Sequence, residues 1–313
     1  MPMPTRTRSI VFTLFLAVGI GAALTGLVLR AGPPTPAPAQ AAAQPAQDRA
    51  HFHHVHLNVV DPDSTIAYYE RFFGANRVAY RDRVDALFTE KSFILMNEVA
   101  TPPQDNFGTS LWHIGWAGVD GPTEFEWREA EGIGVQTALT PLGANHYMYF
   151  WGPDQELVEV YTGSKNHRFE HVHLLPTDIE TTLEWFGEHF GFEPNGPPRQ
   201  FQESIMRVST IRIDNVNLIM FEVPPAGGER NPILPEAVGP DFDVTEGRAM
   251  DHIAFSYGDI EPVFERMSAA GVEIVRPIST DEELGLRSFF VRGPDGLLVE
   301  IVQEKPVPEG IWR

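Results

Sequence analysis

The sequence predicts an α+β protein made of four βαβββ units, set behind an N-terminal apolar segment. Three observations carry this. A histidine-to-aspartate start recurs four times in one register, each start leads into an amphipathic helix ending at glycine, and strand-like runs follow every helix. At 313 residues, 42% of them hydrophobic and 21% charged, the chain has the composition and length of two ordinary folded domains.

The N-terminus stands apart. Arg6 and Arg8 precede residues 9–29, a run of 21 without charge, and a Pro/Ala/Gln-rich stretch follows to about residue 48. A basic start, an apolar run and small residues are the order of an export signal. The run is also long enough to span a bilayer as a helix, so residues 1–50 are expected to be a signal or an anchor plus a tether. Ala39-Gln40-Ala41 offers a cleavage site. The flanking arginines keep the N-terminus inside, so the rest is expected to be exported, periplasmic or extracellular, and tethered to the membrane through residues 9–29 where the segment is retained.

The four starts read HVHLNVVD (54–61), HIGWAGVD (113–120), HVHLLPTD (171–178) and HIAFSYGD (252–259), each with its histidine seven residues before its aspartate. Helices are expected over 64–73, from Pro122 to Gly132, around Ile179, Leu183 and Phe186 up to Gly191, and around Val263, Phe264 and Met267 up to Gly271. Strand runs follow at 92–98, 147–151, 157–161, 216–221, 288–291 and 297–302. Alternation puts His54, His56 and Asn58 on one strand face and Val55, Leu57 and Val59 on the other. The apolar face belongs under the helix, which leaves the histidine face to line a cleft. The Pro/Gly-rich segment 224–247 is expected to be a long loop particular to the second of the two domains.

Without residues 1–50 the chain carries 19 basic and 42 acidic side chains, a net charge of −23. That surface repels phosphate backbones and argues against a nucleic-acid partner. With no cysteine, disulfides and thiolate metal sites are excluded, and any metal must use His, Asp or Glu.

Such residues are present in register. The second and fourth units end in GPDQELVEVY (152–161) and GPDGLLVEIV (293–302), where Glu159 and Glu300 lie five residues after a turn aspartate and between apolar neighbours. A carboxylate projecting from a core strand is costly unless paired, and a metal is the usual partner. Pairing units one and two groups His54, His113 and Glu159; pairing three and four groups His171, His252 and Glu300. Two imidazoles and a carboxylate suit a divalent first-row ion and leave positions for substrate.

These motifs resemble the vicinal-oxygen-chelate superfamily, which includes glyoxalases, extradiol dioxygenases, and the bleomycin and fosfomycin resistance proteins. The resemblance spans about residues 52–304. It implies two tandem domains, 51–166 and 167–305, each of two βαβββ units closing around one metal, with residues 306–313 as a tail.

The same resemblance bears on the chemistry. Lactoylglutathione lyase-type members bring a fourth ligand, a glutamate, from the last strand of a domain's first unit. Here the register puts Leu95 and Ile219 at that position, unless a one-residue slip turns Glu98 or Glu222 inward. Three protein ligands instead resemble the extradiol dioxygenases, whose tyrosine ten residues before the metal glutamate corresponds to Tyr149, and to Phe290 in the second domain. On that reading Tyr149 and His146 are candidate acid/base groups, and His56, His173 and Tyr147 line the cleft around metal and substrate. The expected function is a metal-dependent, dioxygenase-like oxidoreductase acting on a small molecule that chelates through adjacent oxygens. Fe(II) is favoured over Mn, Zn or Ni. Two complete sites in an exported chain fit a ring-cleaving enzyme less well, so a glyoxalase-like lyase or isomerase, or a hydrolase, stays open. So does a drug-sequestering protein, although that role needs no metal triad.

Overall fold

The computed structural model describes residues 49–201, 206–224 and 241–305. The expected signal or anchor segment up to residue 48, most of the 224–247 segment and the tail 306–313 lie outside these residues. Among the described residues no helix is long and apolar enough to cross a membrane.

The unit plan is repeated four times. The first unit comprises β1 (His51–Val59), α1 (Pro62–Phe73), β2 (Asn76–Tyr80), β3 (Val84–Phe88) and β4 (Phe93–Glu98). The second comprises β5 (Leu111–Ala117), α2 (Gly121–Ala130), β6 (Gly134–Leu142), β7 (Asn145–Trp151) and β8 (Leu157–Tyr161). The third holds β9 (Arg168–Leu174), α3 (Ile179–Phe190), β10 (Arg199–Gln200), β11 (Arg207–Ile213) and β12 (Val216–Phe221). The fourth holds β13 (Met250–Tyr257), α4 (Glu261–Ala269), β14 (Ile274–Asp281), β15 (Leu286–Arg292) and β16 (Leu298–Gln303).

The motif aspartates start the helices. Asp61, Asp120 and Asp178 each accept a hydrogen bond from the backbone N–H three residues on, satisfying a donor the helix leaves free. The fourth unit differs, since α4 is capped at Ile260 without a side-chain bond and Asp259 accepts from Glu261 N at 3.1 Å. Gly74 and Gly191 end α1 and α3 in the left-handed conformation that glycine reaches without steric cost.

Two eight-stranded sheets result, in the orders β14-β15-β16-β13-β1-β4-β3-β2 and β10-β11-β12-β9-β5-β8-β7-β6. The first sheet therefore joins units one and four, through the antiparallel pair β1 and β13, and the second joins units two and three, through β5 and β9. This corrects the expected grouping of units one with two and three with four. The boundary at 166/167 falls in the connection between β8 and β9, but neither sheet stays within one side of it. The first strands of all four units carry the same face pattern, so alternation fixes which side of a strand is buried and does not mark its neighbour.

Adjacent units are tied differently. The turn aspartate Asp154 of unit two accepts from Val60 N of unit one at 3.1 Å, and Asp295 of unit four accepts from Thr177 N of unit three at 2.9 Å. Sheet pairing and these turns together link the four units in a ring. One continuous apolar cluster lies on the helix side of the sheets and includes Phe52, Trp116, Phe169 and Phe255. The histidines take the opposite face.

Candidate metal centres

Strand register brings the polar residues together. In the second sheet His171 of β9, Gly115 of β5 and Glu159 of β8 lie side by side, and His113 is paired with His173. Alternate residues share a face, so His113, Glu159, His171 and His173 converge. All four are buried. The Nε2 atoms of His113 and His171 each lie 2.9 Å from Glu159 Oε2 and 3.4 Å from one another.

The first sheet repeats this. His54, Ala254 and Glu300 lie side by side and His56 is paired with His252. His54 Nε2 is 3.2 Å from Glu300 Oε2 and 3.4 Å from His252 Nε2, which is 3.3 Å from Glu300 Oε2.

The six expected ligands are thus brought together, but in other company. The groups are His113, Glu159 and His171 in one centre and His54, His252 and Glu300 in the other; the expected sets His54/His113/Glu159 and His171/His252/Glu300 do not form. The sheet pairing is the cause. Donors 2.0–2.2 Å from one ion stand roughly 2.8–3.1 Å apart at right angles and about 3.3–3.6 Å apart at the tetrahedral angle. Both triads have this spacing, and both donor sets fit a divalent cation.

Electrostatics agree with the geometry. Burial pushes Glu159 and Glu300 up, yet the neighbouring imidazoles outweigh it and hold both well below the usual carboxylate range. Burial pulls His113 and His54 down to about 4. Burial also disfavours charge on His171 and His252, but two carboxylates on each reverse this and raise them to about 9. Those second carboxylates were not foreseen. Glu170 Oε2 lies 3.4 Å from His171 Nδ1, and Asp251 Oδ1 lies 2.7 Å from His252 Nδ1. A carboxylate there fixes which ring nitrogen is left for a metal.

Gly115 was missed too. A Cβ on it would lie 2.1 Å from the His171 ring, so only glycine lets that ring cross toward Glu159. The signal was legible, because a glycine inside an apolar strand marks a close approach.

The candidates around the triads divide by face. Tyr147 and Tyr149 line a cavity of about 220 Å³ beside Glu159 and His171, with Phe201, Phe221 and Arg199 on other walls. Tyr149 sits directly across from Glu159 and is 4% exposed. His146 does not join them. It belongs to β7 and not to a turn, and its ring packs against Gly121 at the start of α2, on the helix side. Even-numbered residues of β7 face away from the cavity, which removes His146 from the acid/base candidates. Glu222 is also outside, accepting from Ile179 N at the start of α3 at 3.1 Å. Glu98 pairs with Val59 on the apolar side, so no register slip occurs, and Leu95 and Ile219 hold the fourth-ligand positions.

The first sheet's centre is furnished differently. Phe290 lies across from Glu300, with the Arg276 guanidinium 3.6 Å over its ring. Leu284 packs both against the cluster of Tyr80, Ala86 and Leu95 and against Ala254, Leu286 and Val302, so it reaches both flanks of that cup.

Residues 168–301 match the family model of the Glyoxalase/Bleomycin resistance protein/Dioxygenase superfamily. Solved structures carry the likeness across both sheets. Glyoxalase I from Zea mays is 16% identical with a TM-score of 0.61, covering 82% of this chain and 92% of that one. A point mutant of the same maize enzyme is 17% identical with a TM-score of 0.62, covering 82% of this chain and 93% of that one. A dioxygenase candidate from Bacillus subtilis is 13% identical with a TM-score of 0.55, covering 82% of this chain and 86% of that one. At such identities the likeness establishes the fold. No curated protein matches the chain.

Proposed function

We propose that the chain is a divalent-metal-dependent enzyme acting on a small molecule that chelates through adjacent oxygens, with turnover in the cavity of the second sheet. The observation that carries this is the meeting of a buried His113/Glu159/His171 triad with an aromatic-walled cavity at the same place. A bound divalent ion would supply Lewis-acid polarisation of the substrate oxygens.

The protein's own groups do the rest. Burial raises the Tyr149 phenol well above its ordinary range, so it stays protonated and donates from Oη to a substrate oxygen. Tyr147, Phe201 and Phe221 exclude water from the substrate, and Arg199 at the wall attracts a negatively charged substituent. Phe290 cannot donate a proton, and Leu284 packs against apolar residues on both flanks of that centre. The first sheet's centre is therefore read as a structural one.

Tyr149 is the feature that favours a dioxygenase-like oxidation with Fe(II). The rival is a glyoxalase-like lyase or isomerase, or a hydrolase, and the number of protein donors bears on that choice. The test is metal analysis of the purified protein, then an oxygen-electrode screen with catechols beside a screen of α-hydroxycarbonyl compounds. Oxygen uptake supports the dioxygenase reading; metal-dependent turnover without uptake supports the rival. Tight binding of a small molecule by metal-free protein would leave only a sequestering role. We also propose export by the N-terminal segment, for which full-length protein recovered from the cytosol would be the contrary result.

A further inference from the structure

We infer that His173 and His56 are metal ligands themselves, so that the second sheet's centre offers three imidazoles and one carboxylate and the first sheet's offers three imidazoles beside Glu300. The inference rests on the metal reading above and goes beyond it in naming a fourth donor.

His173 is 3% exposed, enclosed by Trp112 and Phe221 with ring centres 5.0 and 4.2 Å away. Its Nδ1 lies 3.2 Å from His113 Nε2, and its Nε2 has no hydrogen-bond partner among the described residues. His113 Nε2 is also the atom that meets Glu159 and His171. Once that nitrogen holds an ion it has neither a lone pair nor a proton left for His173. An outer-sphere His173 would then be a buried imidazole with both nitrogens unpaired, a costly arrangement. Binding the same ion removes the conflict at Nδ1.

The ring positions fit. Imidazoles bound to one ion keep their centres about 3.2 Å from it, so pairs stand roughly 4.5 Å apart at right angles and about 6.4 Å apart when opposite. The ring centres of His113, His171 and His173 are separated by 4.6, 5.5 and 6.1 Å. Those of His54, His56 and His252 are separated by 4.6, 5.4 and 5.5 Å.

Register explains why the slot is free. In the parallel pair β9 and β12, His173 lies beside Ile219; in β1 and β4, His56 lies beside Leu95. These apolar residues occupy the position from which a fourth ligand was sought. In both sheets an imidazole on the neighbouring strand stands next to the missing carboxylate.

The donor count has a chemical consequence. On a six-coordinate ion, four protein donors leave two positions, enough for one chelating substrate and none for dioxygen beside it. This donor count favours the rival reading above, isomerisation, elimination or hydrolysis, over the oxidation that Tyr149 favours, and the oxygen-uptake screen decides between them.

X-ray absorption of the full chain loaded with Ni(II) counts imidazoles directly. Three per ion are expected, falling to two in the double variant His56→Phe/His173→Phe. His173→Glu, which restores a donor, should retain the ion in the second sheet, whereas His173→Phe should lower its affinity by more than the roughly 100-fold that loss of an outer-sphere partner costs. An ion held in the wild type by two imidazoles overturns this inference alone. Failure of the wild type to bind any of Ni(II), Fe(II), Mn(II) or Zn(II) overturns the metal reading with it.

Discussion

At the scale of single residues, one missing methyl group governs how His171 reaches Glu159. Gly115→Ala places a carbon 2.1 Å from the His171 ring, so the ring must swing off the triad. The expected outcome is metal affinity lowered by at least about 10-fold in the second sheet, with the first sheet's ion retained. Calorimetric titration giving two unchanged sites in Gly115→Ala would contradict the geometry. Glu159→Gln should likewise empty the centre that includes His171, and His252→Ala the one that includes His54. Tyr149→Phe should keep both ions and slow turnover by about 10²–10⁴-fold, the range for a positioned proton donor; an unchanged rate would return Tyr149 to plain packing. All six triad residues were legible in the sequence, because strand geometry repeats them at fixed offsets from the motif aspartates. Glu170 and Asp251 were not. A carboxylate one residue before a histidine normally points to the other face, and only the bulges in β5/β9 and β1/β13 let it reach the ring.

At the scale of elements, the turn before β8 holds a buried acid that its counterpart lacks. Glu156 accepts from Tyr69 Oη and from Asp154 N, both at 3.0 Å, and corresponds to Leu297 in the fourth unit. A Cβ on Gly152 would lie 2.0 Å from the Glu156 carboxyl, so the turn is shaped around it. Burial, with Asp154 adding like charge, lifts Glu156 from 4.5 to about 7. The folded state therefore keeps a proton that the unfolded chain releases near pH 4.5. Its contribution is fully present below that pH and is lost as pH rises through about 7, by roughly 3 kcal/mol at most. Glu156→Gln should remove this loss, so chemical denaturation at pH 8 should find the variant more stable than wild type and the difference should vanish below pH 5. A difference independent of pH would mean that Glu156 is already ionised in the fold. The helices, their glycine stops and the strand faces could be read from periodicity alone. His146 was misplaced because a Gly-Ala-Asn-His sequence reads as a turn, whereas β7 begins at Asn145 and its parity sends that ring to the helix side.

At the scale of the molecule, each centre draws on both halves of the chain. His113 and Glu159 precede residue 166 while His171 follows it; His54 precedes it while His252 and Glu300 follow. The strand pairs β1/β13 and β5/β9 make these joins, and the link between residues 99–110 and the approach to β13 reinforces them, with Asn106 exchanging two 2.8 Å hydrogen bonds with the backbone of Met250. The repeat pattern could not reveal this, since four similar first strands satisfy the same alternation with any antiparallel neighbour. The pairing has a measurable consequence. Residues 49–165 and 166–305 produced separately should bind no ion as monomers, because neither contains a complete triad within one sheet. Produced together, they should associate through the two strand pairs and bind two ions per complex. A half that dimerises could place unit one against unit two of its copy and gather His54, His113 and Glu159, so the monomeric fraction is the one to assay. Stoichiometric metal in a monomeric half would show that a sheet can close within it, and the arrangement of units described here would be wrong.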